Sequence, residues 1–467
     1  MFLGFLSINW TVWNIQKLAN LIDICLALLQ FATAFKLKKF MSSDFRNQDL
    51  TYHRYPTPGK LSISIKKTAN TIDDLSLAYS PGVAYPVMEI SQNPKTVYDY
   101  TNKGNLVAVI SNGTAILGLG NLGAEAAKPV MEGKGLLFKQ LAGIDVFDLE
   151  LDCSDPDLLI QIVKALEPTF GGVNLEDIKA PECFYIEEKL KQVMRIPVFH
   201  DDQHGTAIVV GAGIINALLL ANKNINQIKV VINGAGAAGI ACAQHLVNLG
   251  VAKNNIYMCD SLGVIYRGRT ENMNKYKEIW AVETNLRSLA DVLVGADVFI
   301  GLSVKDVLTP EMLLSMNDNP IVFALANPDP EIDYNLAHQT RSDIIMATGR
   351  SDYSNQINNL LAFPYIFRAA LDVRATKITD KMKLAATYAL AELARQPVDE
   401  RIKIVYKEQQ LDFGKKYIIP KPLDPRLLEV VTVAVIKAAY MDNMAQLEIP
   451  DLEEYVAKLN QLRSIKF

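Results

Sequence analysis

The chain has 467 residues, enough for two or three domains with cores of their own. Half of the residues are hydrophobic, 21% are charged, and the net charge is −4. That balance excludes a disordered chain, a nucleic-acid binder working through a basic surface, and a polybasic membrane-surface protein. Five cysteines, Cys25, Cys153, Cys183, Cys242 and Cys259, are scattered without close pairing. They read as small buried hydrophobes in a reducing, cytoplasmic compartment, not as a disulfide frame or a zinc site. The five histidines are equally dispersed, which argues against a His-based metal centre.

Residues 1–40 differ in kind from the rest. They are apolar, with Asp23 as their one acid and Lys36, Lys38 and Lys39 near the end. Asp23 interrupts any signal anchor, and arginine and serine are too few for a targeting helix. Met41 therefore reads as the start of the folded protein, with 1–40 as upstream sequence.

From residue 44 the chain is mixed. A short alternating strand is expected over 61–65. In LAYSPGVAYPVMEI, Ser80 reads as the cap of a helix beginning at Pro81, which places Tyr79 at the mouth of that helix. LVAVI (106–110) reads as a strand, Ser111-Asn112-Gly113 as a hairpin turn, and TAILGLG as the partner strand. Gly118, Gly120 and Gly123 match G-x-G-x-x-G. A hairpin in place of a βαβ unit makes this match weak, and the glycines fit close backbone approach to a small anion. Lys128 and Lys134 follow. A helix is expected over 135–142, with Lys134 at its positive entrance, where an ammonium loses its proton more easily and suits a base. Taken alone, either lysine reads as a solvated charge. A strand over 145–152 and a helix over 155–166 come next.

Two acidic pairs, Glu176-Asp177 and Asp201-Asp202, each abut an apolar segment. Ionised carboxylates near a core need a compensating cation, so two such pairs point to a shared metal ion. All the donors are oxygens, which suits Mg²⁺ or Mn²⁺. Asp201-Asp202 is expected in a loop ahead of an apolar helix over 206–221, with His204 as a loop hydrogen-bonder.

KVVINGAGAAGIACAQHLVNLG gives a strand over 229–232, then Gly234, Ala235, Gly236, Ala237, Ala238 and Gly239 opening a helix. A second strand ends at Asp260, 21 residues after Gly239. This is the full dinucleotide context that the earlier glycine match lacks. Asp260 is placed to accept from a ribose hydroxyl, which leans toward NAD, while Arg267 and Arg269 keep NADP open. Further strands at Val298–Gly301, 321–325 and 344–347 alternate with helices, as in a doubly wound parallel sheet. Asn327 follows one strand end and is placed to meet cofactor or substrate. In NQINNLL, Asn355 reads as a helix cap, whereas Asn358 and Asn359 lie too far in for capping and one of them faces a carboxylate or carboxamide. Amphipathic helices over 376–396 and 427–441 return to cover the first domain or form a subunit contact.

LAYSPGVA, ILGLGNLG, PVMEGK, NLEDIKAPECF, FHDDQHGTA, the 234–239 glycines with Asp260, ANPDPEI and NQINNLLAFPYIFRAAL together resemble malic enzyme, the decarboxylating malate dehydrogenase, of the short bacterial type. The resemblance spans roughly residues 45–374. It implies an α/β architecture: a substrate and metal domain over 41–205, a Rossmann-type NAD(P)-binding domain over 206–375, and a C-terminal helical region over 376–467. It implies Tyr79 as general acid, Lys134 as general base and Asp201 as an acid beside that lysine. Glu176, Asp177 and Asp202 match metal ligands, and Asn327 and Asn359 match positions that contact cofactor and substrate. Larger eukaryotic members carry an arginine just before ILGLG; here that place is Ala115. The expected activity is conversion of (S)-malate to pyruvate and CO₂ with NAD or NADP and Mg²⁺ or Mn²⁺. The expected protein is a cytoplasmic homo-oligomer, a dimer, with no nucleic-acid partner and no membrane for its folded part. A plain 2-hydroxy-acid dehydrogenase shares the nucleotide fold but does not need the acidic pairs, and a non-catalytic dinucleotide binder does not need Tyr79 and Lys134.

Overall fold

Near-continuous apolar runs such as Leu106–Ser111 and Ile321–Ala324 belong to parallel strands covered on both faces. In the computed structural model every residue of both runs is buried. The structure describes residues 43–462, so the reading of residues 1–40 lies outside it. The chain divides into two compact units, one ending at Ser62 and one beginning at Ile63. The first contributes helix α1 (Ser43–Arg54). No strand forms over 61–65: Ile63 and Ile65 are 86% and 81% exposed. Two alternating isoleucines with no partner strand have no surface to bury against.

The second unit opens with α2 (Ile72–Ala78), closed at its start by a Thr71/Asp74 capping box, and α3 (Ala84–Gln92). The helix expected from Pro81 begins at Ala84 instead, and no side chain caps it. The amides of Gly82 and Val83 return to the carbonyls of Ser76 and Tyr79, so residues 80–83 form a turn. Tyr79 is the C-cap of α2 and does not sit at a helix mouth.

A four-stranded parallel sheet follows, made of β1 (Leu106–Ser111), β2 (Asp145–Glu150), β3 (Gly172–Leu175) and β4 (Val198–His200) in the order β2-β1-β3-β4. Helices α4 (Ala124–Ala142), α5 (Pro156–Ala165) and α6 (Glu182–Val193) connect these strands. The hairpin expected after β1 is absent. Asn112 Oδ1 takes the amide and hydroxyl of Thr114, and residues 112–123 form a loop closed by an Ile116–Gly120 bridge. Ser-Asn-Gly serves a strand-to-loop exit as readily as a hairpin.

Helix α7 (Asp201–Ala221) leads to the second sheet. Its strands are β5 (Val230–Asn233), β6 (Ile256–Asp260), β7 (Gly263–Val264), β8 (Val298–Gly301), β9 (Ile321–Ala324) and β10 (Ile345–Thr348), ordered β10-β9-β8-β5-β6-β7. All neighbours are parallel except β6 and β7. Helix α8 (Ala237–Asn248) follows β5. The chain order reverses between β1 and β3 in one sheet and between β5 and β8 in the other. Such reversal points open a crevice outside the carboxyl ends of the strands.

The C-terminal helices α9 (Phe363–Asp372), α10 (Asp380–Arg395), α11 (Arg426–Met441) and α12 (Leu452–Gln461) return over the body of the protein. Helix α9 packs on α4 and α11, and α10 packs on α7. Phe367 of α9 is fully buried, with its ring 5.3 Å from Phe138 of α4 and 5.8 Å from Phe199 of β4. Phe367→Ala is expected to cost about 3–5 kcal/mol, the usual penalty for truncating a buried phenylalanine, read as a lowered denaturant midpoint.

Candidate active site

Glu176 and Asp177 directly follow β3, and Asp201 and Asp202 directly follow β4. These strands are parallel neighbours, so both acidic pairs emerge side by side at one sheet edge. Helix α7 begins at Asp201, about five residues earlier than the sequence implies, because acids in a first turn are favoured by the positive helix end. One carboxylate oxygen from each of Glu176, Asp177 and Asp202 lies within 4.8 Å of the others. Asp177 takes a left-handed backbone conformation, φ +52°. Its amide donates to Asp202 Oδ2 at 2.9 Å, and its carbonyl accepts from Ala115 at 3.0 Å.

Lys134 stands well inside α4 and not at its entrance. Its Nζ lies 2.5 Å from Asp201 Oδ2, 3.0 Å from Glu176 Oε1 and 4.6 Å above the Phe363 ring. The expectation of a lysine primed by a helix end to lose its proton is therefore reversed. Burial favours the neutral amine, but Asp201 and then Glu176 outweigh it and raise the ammonium well above an ordinary lysine. Lys128 is an exposed partner of Asp148 at 2.7 Å.

Four carboxylates here face one ammonium. Asp177 Oδ2 and Asp201 Oδ1 are buried without a hydrogen-bond partner. Burial, and then the Asp202 charge, push the Asp177 carboxyl up to about 7. Burial pushes Asp201 up to about 6 even with Lys134 alongside, and Glu176 is raised well above its ordinary value. Excess buried negative charge, orphaned oxygens and an all-oxygen donor set fit a hard divalent cation such as Mg²⁺ or Mn²⁺ held by Glu176, Asp177 and Asp202.

A second buried network, absent from the sequence reading, holds this edge in place. Glu187 of α6 accepts from the His200 amide at 3.0 Å, from Lys191 at 2.7 Å and from His204 Nε2 at 2.9 Å. His204 is not in a loop: it lies on α7, where burial pushes its imidazole down to about 3. As a neutral ring it donates from Nε2 and accepts from Lys383 at Nδ1, 3.4 Å away. Glu187 thus ties the end of β4 and the first turn of α7 to α6. Nothing in the sequence marks it, since one acid among the charges of an amphipathic helix looks like solvated surface.

Asn359 and Asp201 both border Gly205: a Cβ built there would meet Asp201 Oδ1 at 1.9 Å and Asn359 Cβ at 2.8 Å. Asn327 is exposed beyond β9, its side chain beside Gly349 and its carbonyl beside Gly118. Buried Glu331 steadies that loop by accepting from Ser303 and Ala326, each at 3.0 Å. Asn358 does act as a cap, accepting from Leu360 at 3.0 Å. Asn355 does not: it is buried and bonds the carbonyls of Met346 and Lys415 and the amide of Ile418. Tyr79 is 75% exposed, and no described hydrogen bond joins its hydroxyl to the carboxylate cluster.

At the reversal point of the second sheet is a cleft of about 770 Å³ lined by Gly234, Ala235, Gly236, Asp260 and Ser303. Ala180 and Pro181, just beyond Glu176 and Asp177, also line it, so acidic cluster and cleft adjoin. Gly234 takes φ +124°, and a Cβ there would sit 2.3 Å from the Leu302 carbonyl oxygen. Ala237 and Ala238 open α8, Gly239 packs the helix onto Gly234, and no side chain caps the first-turn amides. That leaves the helix start available to a phosphate.

The raised Asp177 carboxyl sets a pH dependence. A folded value near 7 against an unfolded value of 3.8 means that the fold binds this proton more tightly than the open chain does. The resulting stability is complete below the unfolded value and is lost as pH rises through 7. Mn²⁺ is therefore expected to raise the melting temperature more at pH 8 than at pH 5, with Asp177→Asn flattening the difference. Equal increments at both pH values contradict a shared cation site.

Residues 58–191 match the family described as malic enzyme, N-terminal domain, and residues 203–410 match malic enzyme, NAD binding domain. The chain is 56% identical over 422 residues to the NADP-dependent malic enzyme of Escherichia coli (strain K12), covering 90% of this chain and 56% of that protein. It thus spans little more than half the length of several relatives it matches. It is 55% identical over 410 residues to the NADP-dependent malic enzyme of Halomonas elongata, covering 88% of this chain and 97% of that one. The crystal structure of malic enzyme from Pyrococcus horikoshii superimposes with a TM-score of 0.81 at 42% identity, covering 89% of this chain and 96% of that chain. Two family domains in order, the sheet pair and the long aligned span agree, and the chain belongs to the malic enzyme family.

Proposed function

We propose that this chain oxidises (S)-malate to pyruvate and CO₂ while reducing a nicotinamide dinucleotide, with Mg²⁺ or Mn²⁺. The observation that carries the reading is Lys134, buried between Asp201 and Glu176, in a chain whose residues just beyond the acidic pair Glu176-Asp177, Ala180 and Pro181, line the dinucleotide cleft. The relatives named NADP-dependent malic enzyme support it.

Glu176, Asp177 and Asp202 would hold the cation. Bound there, it supplies Lewis-acid polarisation of the C2 oxygen and offsets the negative charge that holds the Lys134 proton. Neutral Lys134 takes the proton of the malate C2 hydroxyl as hydride leaves C2 for the nicotinamide. Asp201 keeps Nζ aimed. The C3 carboxylate then leaves as CO₂, and Tyr79 protonates C3. Asn327 and Asn359, which follow the carboxyl ends of the parallel neighbours β9 and β10, orient the nicotinamide and substrate. The cleft positions the cofactor through Gly234, Gly236 and the open start of α8.

The working unit is a homodimer. Helices α2 and α3 contain no buried residue, and Ile72, Leu77, Tyr85 and Val87 are each at least 60% exposed. Apolar surface of that extent, in the segment that carries Tyr79, favours cover by a second copy. A cytoplasmic location agrees with free thiols at Cys153, Cys183, Cys242 and Cys259. Helix α7 is apolar enough to cross a membrane, but most of it is buried in the protein.

The test is release of pyruvate and CO₂ from malate in the presence of Mn²⁺. Lys134→Ala is expected to lower kcat by about 10²–10⁴-fold, the usual contribution of a positioned base, with the fold intact by circular dichroism. Near-normal malate oxidation by that variant removes the base assignment. Oxidation to oxaloacetate with no CO₂ points instead to a plain 2-hydroxy-acid dehydrogenase. Sedimentation is expected at the mass of a dimer.

A further inference from the structure

We infer that Arg350 is a positioning residue for hydride transfer: its guanidinium holds the backbone beside Asn327 and so aims an amide side chain that no described hydrogen bond holds. This rests on the reading that Asn327 orients nicotinamide and substrate.

Asn327 is exposed, and among the described residues its side chain has no hydrogen-bond partner. Its direction is therefore set by the backbone on either side. Before it, the Ala326 amide donates to buried Glu331 at 3.0 Å. After it stands Pro328, which has no amide to give, so its carbonyl is the handle that remains. Arg350 Nη1 donates to that carbonyl at 3.1 Å. Arg350 follows β10 and Pro328 follows β9, so the contact ties two neighbouring strand ends together.

The guanidinium that makes this contact is itself fixed. Nε and Nη2 fork onto Asp352 at 2.9 and 2.8 Å. Its carbon lies 5.5 Å from the centre of the Tyr353 ring, and Tyr353 stacks on Tyr334 at 4.5 Å with planes 12° apart. An arginine–aspartate pair on an exposed loop adds little to stability. Its reach to Pro328 is what gives this one a task. The slot around Asn327 leaves little slack. A Cβ on Gly349 would stand 2.9 Å from Asn327 Nδ2, and one on Gly118 would stand 2.7 Å from the Asn327 carbonyl oxygen. A shift at Pro328 is thus passed directly to the Asn327 amide. Lysine offers a point charge without the planar fork, so it can hold the carbonyl or Asp352 but not both in this geometry.

The test is steady-state kinetics of the purified chain with malate, Mn²⁺ and NADP⁺ or NAD⁺, repeated with malate deuterated at C2. Arg350→Gln is expected to lower kcat by about 10- to 100-fold, the upper figure being the cost of a 1 Å misplacement. The deuterium isotope effect on kcat is expected to rise, because hydride transfer is the step that is slowed. Mn²⁺ affinity and melting temperature are expected to stay as in the wild type, and Arg350→Lys to fall between the two. Asn327→Ala sets the ceiling of the loss, and the double variant is expected to be no slower than Asn327→Ala alone. Losses that multiply in the double variant overturn the inference, as does a normal Arg350→Gln beside an impaired Asn327→Ala. A normal Asn327→Ala removes the reading of Asn327 and this inference with it. Where Arg350→Gln melts lower, Asp352→Asn decides: it is expected to raise the isotope effect in smaller measure, and an unchanged isotope effect overturns the inference.

Discussion

A single ammonium, that of Lys134, is enclosed with four carboxylates where three elements meet: α4, the end of β3, and the junction of β4 with α7. No one of these charges is tolerable alone in the interior, because an unpaired buried ion costs several kcal/mol. Each of these charges is tolerable there only in the presence of the others. The cluster remains short of positive charge even with the lysine in place, and that deficit is what a hard cation would offset.

The surrounding architecture keeps this edge in register. Each sheet reverses its strand order once, and the crevice at each reversal opens at the carboxyl ends of its strands. The residues after β3 continue from Glu176 and Asp177 into the wall of the dinucleotide cleft at Ala180 and Pro181. One continuous stretch of backbone therefore links the acidic cluster to the cleft. Glu187 and His204 close the arrangement from behind, and the phenylalanines of α4, α9 and β4 fill the space between the lysine helix and the C-terminal cover.

What the sequence made legible is what local pattern encodes. The parallel strands stand out as apolar runs, and the dinucleotide turn stands out because its glycines sit between a strand and a helix with an acid at the right distance. The acidic pairs are conspicuous because ionised groups beside apolar segments need an explanation. What stayed hidden depends on partners far along the chain. The protonation of Lys134 is set by Asp201, 67 residues away, and no helix-end argument reaches that far. The role of Glu187 depends on a histidine on another helix. The hairpin misreading after β1 and the late start given to α7 share one cause: Ser-Asn-Gly and Asp-Asp are each compatible with two local structures, and tertiary contacts choose between them. Asn355 has the local sequence of a cap because its partners, near Met346 and Ile418, are invisible from its neighbours.

Helix α7 carries Asp201 and Asp202 on its first turn, and Asn216 on its last turns. Asn216 donates to the carbonyls of Ala391 and Ile418 and accepts from Arg395. Twenty-one helical residues make a rod of about 30 Å. A rod gripped near its far end by a polar clamp cannot pivot without swinging its other tip. The aim of the two acids is thereby geared to a joint at the far end of the helix, and loosening that joint would misalign them without touching either one.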